Sequence, residues 1–97
     1  MKLLDGQLVD TDGNQETFKC LGCDLTIQVD GDLGGGTITI QGSMEGFSFQ
    51  DLRDQAGDIY SVTEPKIFVL SGAHVGLTIR ASLTGSSGAN VSVGLLQ

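Results

Sequence analysis

Gly36-Thr37-Ile38-Thr39-Ile40-Gln41-Gly42-Ser43-Met44-Glu45-Gly46-Phe47-Ser48-Phe49-Gln50-Asp51-Leu52-Arg53-Asp54-Gln55-Ala56-Gly57 is the stretch on which the fold turns. Ile38 and Ile40 alternate with Thr37, Thr39 and Gln41, the period of a strand with one buried face. A glycine-bounded turn follows at 42–46. Phe47 and Phe49 resume the alternation as an aromatic strand, but the next apolar residue, Leu52, comes three positions on. That slip predicts a bulge or a strand end near Gln50 and Asp51. Residues 53–57 then read as a charged turn closed by glycine. Nothing in the stretch has the 3.6-residue period of a helix.

The same alternation continues on both sides. Leu25, Ile27 and Val29 alternate with Asp24, Thr26, Gln28 and Asp30, and the glycine-rich 31–36 segment joins them to the next strand as a hairpin loop. Downstream, residues 58–62 read as a short strand and Glu64-Pro65 as a break. Residues 66–70, apolar on both faces, predict a central or covered strand. Val75, Leu77, Ile79, Ala81 and Leu83 predict a long strand, and Val91, Val93 and Leu95 the inner face of a last one. With a strand near residues 17–21, about eight short strands are expected. The class is all-β, an antiparallel β-sandwich of jelly-roll or Ig-like type. Fifteen glycines against a single proline suit many tight turns.

In 97 residues there is room for one domain, in which roughly 60–65% of the unfolded chain's surface can be buried. Residues 17–97 are expected to form the sandwich. Residues 1–16, where Leu3, Leu4, Leu8 and Val9 lack a sustained period, are expected to be an N-terminal arm or hairpin; a first strand packed on the domain is the alternative. The opening Met1-Lys2-Leu3-Leu4 is too short for the apolar core of a secretion signal, and no run approaches a membrane span. A soluble protein made in the cytoplasm, with no membrane partner, is expected. Twelve acidic against five scattered basic residues give a net charge of −7, which argues against nucleic-acid binding because phosphate contacts need clustered Lys and Arg.

The residue types that carry chemistry are present without the company their chemistry needs. Cys20 and Cys23 form one C-x-x-C with neither a strand-to-helix junction nor two further zinc ligands, and read as free thiols. Asp10-Thr11-Asp12-Gly13-Asn14 with Glu16 has the oxygen density of a calcium loop, but an EF-hand glutamate would fall at Leu21; it reads as a polar turn. A cation site there would need Asp30 and Asp32 or neighbouring chains to complete it. The glycines at 31–36 lack the lysine of a phosphate loop. The single histidine, His74, reads as a turn or surface residue, with no serine placed to make a triad. Asp51 with Asp54, or Glu45 with Asp51, could flank a sugar bond, but five aromatics and no tryptophan offer little for a sugar to stack on. No catalytic, cofactor-binding or metal-binding residue is assigned, and an enzyme is not expected.

Residues 24–95 resemble a small β-sandwich module of tailed-bacteriophage virion proteins. The resemblance rests on Thr37-Ile38-Thr39-Ile40-Gln41-Gly42-Ser43-Met44-Glu45-Gly46, on Phe49, Leu52, Asp54 and Gly57 after it, and on Leu83-Thr84-Gly85-Ser86-Ser87-Gly88-Ala89-Asn90-Val91-Ser92-Val93. Phe49 stands where the family often has tryptophan, and the loop between Gly46 and Phe49 is short. The resemblance implies a virion structural protein without catalytic residues. Its expected role is a capsid decoration (cement) protein that binds the major capsid protein and stabilises the lattice as a symmetric homo-oligomer; a head-tail or tail accessory part, or a fibre-base adaptor, is the structural alternative. A glycan-binding module using the loops at 42–46 and 53–58 is the alternative of another class.

Overall fold

Alternating sequences make strands here, and the inward apolar positions decide how those strands stack. The computed structural model describes residues 1–54, 56–73 and 76–97. Nine strands are found among them, all antiparallel: β1 (Lys2–Gln7), β2 (Phe18–Lys19), β3 (Cys23–Asp32), β4 (Thr37–Ser43), β5 (Gln50–Asp51), β6 (Ser61–Val62), β7 (Lys66–Ala73), β8 (Thr78–Thr84) and β9 (Asn90–Leu96). One sheet has the order β1-β9-β3-β7; the other has β2-β8-β4-β5, with β6 also on β4. β5 pairs with Gln41 and Gly42, and β6 pairs with Ile38 and Thr39, so the two share one place beside β4. Eight strand positions in two four-wide sheets, with most connections crossing between them, define a jelly roll. An Ig-like arrangement is set aside.

The core lies between the sheets. Leu25, Ile27 and Val29 of β3, Ile38 and Ile40 of β4, Ile79, Ala81 and Leu83 of β8, and Val91, Val93 and Leu95 of β9 are all buried, the residues that the period-two reading turns inward. His74 and Val75 lie outside the described residues.

Four features differ from the sequence reading. First, β3 and β4 do not form a hairpin, since they belong to opposite sheets. The 33–36 turn, closed by Gly36 N donating to Leu33 O at 3.0 Å, carries the chain across the core, and Leu33 is buried beneath it. Two strands with one apolar face each satisfy the same pattern as a hairpin or as an arch, so the period alone does not separate them.

Second, residues 1–16 form neither an arm nor a hairpin; the alternative, a first strand packed on the domain, is what is found. β1 pairs with β9 through register shifts between Lys2, Leu4 and Gln7. The irregularity lets two successive leucines, Leu3 and Leu4, both face the core, which hides the period in the sequence. The chain then changes sheets. Thr11 N donates to Leu83 O at 3.0 Å and Gln15 Nε2 donates to Ala81 O at 3.0 Å, so residues 11–15 run beside β8 and close one side of the sandwich.

Third, β7 is an edge strand with β3 on one side only; Leu70 points inward, while Ile67 and Val69 are 63% and 51% exposed. Its two apolar faces do not mark a central strand. Fourth, Phe47 and Phe49 are not in a strand. β5 stops at Asp51, where the slip is, and Leu52 N donates to Ile40 O and Tyr60 N to Leu52 O, both at 3.0 Å. Residues 53–54 and 56–59 therefore belong to a side excursion from an interrupted strand. Gly42 takes an inward position on β4 because a Cβ there would meet Leu52 side-chain carbons at 3.0 to 3.3 Å.

Candidate docking surface

One end of the sandwich is made by the turn after β4, the turn after β2 and the approach to β8. Ser43 and Lys19 both pair with Thr78, which brings these segments together. Three large apolar side chains project there: Leu21, Met44 and Phe47 are 77%, 66% and 71% exposed. Met44 and Phe47, with Leu77, line an open hollow of about 390 Å³.

These loops are tied down. Phe47 N donates to Met44 O at 3.0 Å, Cys20 N donates to Leu77 O at 2.8 Å, and Gly76 N donates to Cys20 O at 2.9 Å. Leu21 N donates to Gln97 Oε1 at 3.0 Å, while Gln97 Nε2 donates to Gly22 O. Apolar side chains are thus held toward water by a bonded frame, and such clusters mark contact surfaces. Cys20 is buried in that frame, and burial pushes its thiol pKa up.

Several polar residues singled out in the sequence have structural partners. Asp10 binds the turn between β8 and β9: Oδ1 accepts from Ser86 Oγ at 2.5 Å and Ser86 N at 2.9 Å, and Oδ2 accepts from Gly85 N at 3.0 Å. The Ser86 hydroxyl, followed by the backbone amides, holds Asp10 below the usual carboxylate value. Asp12 Oδ1 accepts from Asn14 N at 3.0 Å, closing a local turn. Asp51 Oδ1 accepts from Gln41 Nε2 at 2.9 Å, and Asp54 Oδ1 accepts from Ala56 N at 2.9 Å and Asp58 N at 3.0 Å. Among the described residues no group of three or more His, Cys, Asp and Glu is placed to hold a metal ion.

Phe49 carries the Arg80 guanidinium 4.0 Å from its ring centre. Arg80 Nε also donates to Gln41 Oε1 at 2.9 Å. The aromatic thus covers a polar strand face instead of entering the core.

The sequence reading missed the exposed end, because alternation assigns Phe47 to a strand face. The available signal was Met44 inside the turn bounded by Gly42 and Gly46, with Phe47 directly after it. The fold and this end together define a jelly-roll module with exposed apolar side chains at one end. Compared with protein-family models, curated proteins and solved structures, the chain matches none.

Proposed function

We propose that this protein is a structural protein of a bacteriophage particle, a capsid decoration protein that binds the major capsid lattice through the end carrying Leu21, Met44 and Phe47. The observation that carries the docking part of this reading is that these three side chains stand in water on hydrogen-bonded loops. The virion context is supported by the sequence resemblance. Jelly rolls serve viral capsid and lectin domains alike, so the surface has to discriminate, and of the two loops expected to meet a glycan, the one at 42–46 presents Met44 to water beside the exposed Phe47.

The magnitudes suit a part that acts in many copies. Burying roughly 400 Å² of apolar side-chain surface contributes about 10 kcal/mol at ~25 cal/mol per Å², comparable to the ~4–15 kcal/mol that association costs. A single contact of this size is weak. Repetition over a lattice makes it effective.

The test is to heat particles, or expose them to mild chaotrope, with and without this protein. Particles carrying it should survive harsher treatment, and the protein should be present on purified heads. Equal survival together with absence from heads would overturn the reading. Copy number separates a decoration protein, present in hundreds, from a tail or adaptor part present in a small symmetric set.

A further inference from the structure

We infer that β7 is an assembly edge along which two copies of this chain pair antiparallel, making one continuous eight-stranded sheet from two copies of β1-β9-β3-β7. This goes beyond the capsid reading and does not depend on it.

Edge strands are normally blunted by shortness, bulges or charge. The other edges here follow that rule: β2, β5 and β6 have two residues each, while β1 has shifted register and carries Asp5. β7 has eight residues; its one register shift against β3 falls between Leu70 and Ala73, and the five residues Lys66 to Leu70 pair in continuous register. Its outward residues Ile67 and Val69 are more than half exposed. Beside it runs a shallow groove of about 190 Å³ lined in part by Tyr60 and Phe68, whose rings stack at 6.3 Å.

A second copy fits this edge because the edge is free of carboxylates and complements itself when turned antiparallel. At a net −7, two copies repel unless they meet where carboxylates are absent. β7 contains no Asp or Glu and a single cation, Lys66. Parallel pairing would set Lys66 against Lys66. Antiparallel pairing about a two-fold at Phe68 separates the lysines by roughly 14 Å, four residue steps, and sets each opposite Leu70 of the other copy. The same register sets Ile67 opposite Val69 twice, giving two β-branched cross-strand pairs.

Sedimentation of the isolated chain over a range of concentrations tests the pairing, without any capsid. Wild type should reach twice the chain's 10.1 kDa. Ile67→Lys/Val69→Lys, which retains its β-sheet circular dichroism because both sites are exposed, should weaken the dimer at least roughly tenfold. A second measurement fixes the register: in a Cys23→Ser background, Ile67→Cys chains mixed with Val69→Cys chains should form an intermolecular disulfide, whereas either alone should not. A monomer at all concentrations, a dimer that the lysines leave intact, or no mixed disulfide would overturn the proposal.

Discussion

Adding one methyl group at Gly34 tests whether the 33–36 segment is an arch pressed against the opposite loop. A Cβ at Gly34 would lie 2.6 Å from Ser87 O and 2.9 Å from Ala89 N, whereas at the adjacent Gly35 it would meet nothing within 4 Å. Both residues have positive φ, +62° and +75°. Gly34→Ala and Gly35→Ala therefore share the left-handed backbone penalty of roughly 1–2 kcal/mol, offset by about 0.4–1 kcal/mol from a stiffer unfolded chain. Only Gly34→Ala also forces two segments apart.

Restoring an ordinary carbon–oxygen contact of about 3.3 Å takes a movement of roughly 0.7 Å. That movement strains the bond from Ser87 N to Gly34 O, now 2.9 Å. Overpacking of this kind costs about 1–3 kcal/mol, and a weakened hydrogen bond adds up to about 1 kcal/mol. Gly34→Ala should thus be less stable than Gly35→Ala by roughly 2–3 kcal/mol. With a urea m-value near 1.5 kcal/mol/M, their midpoints should differ by about 1.3–2 M. Coincident midpoints would refute the arch, because a free hairpin loop would not distinguish the two glycines.

Three further outcomes follow from named contacts. Asp10, held below the ordinary carboxylate pKa in the folded state, stabilises fully above its unfolded value of about 3.9 and loses that effect as pH falls through the lower folded value; the melting-temperature gap between wild type and Asp10→Asn should close between neutral pH and pH 2. Leu33→Ala, which removes a buried side chain under the arch, should cost about 2–4 kcal/mol in chemical denaturation, and a loss below 1 kcal/mol would count against its place in the core. Arg80→Ala removes the contact with Phe49 and the bond to Gln41 and should cost about 1 kcal/mol, with Arg80→Lys recovering only part.

How much of this was legible in the sequence depends on whether local pattern or long-range pairing sets the feature. The inward residues of β3, β4, β8 and β9 were readable because period two is a local property. The pairing of β3 with β7 and β9 was not, since an arch and a hairpin ask the same alternation of Leu25 to Ile40. Leu3 and Leu4 concealed β1 because a register shift turns both inward. Ile67 and Val69 made β7 look central because burial and unpartnered exposure require the same residue types. The exposed apolar end fell between these cases: Met44 and Phe47 stand in a turn marked by glycine, but only the pairing of β2 and β4 with β8 brings the segment carrying Leu21 to the same end.

The most direct measurement of the docking account is co-sedimentation of the purified protein with heads that lack it, comparing wild type with Met44→Glu/Phe47→Glu. Both sites are exposed, so the variant should keep the wild-type circular dichroism. Wild type should bind saturably, and the variant at least roughly tenfold more weakly, because two charges replace most of the buried apolar area. Equal binding by the folded variant, or no binding by wild type, would contradict the account.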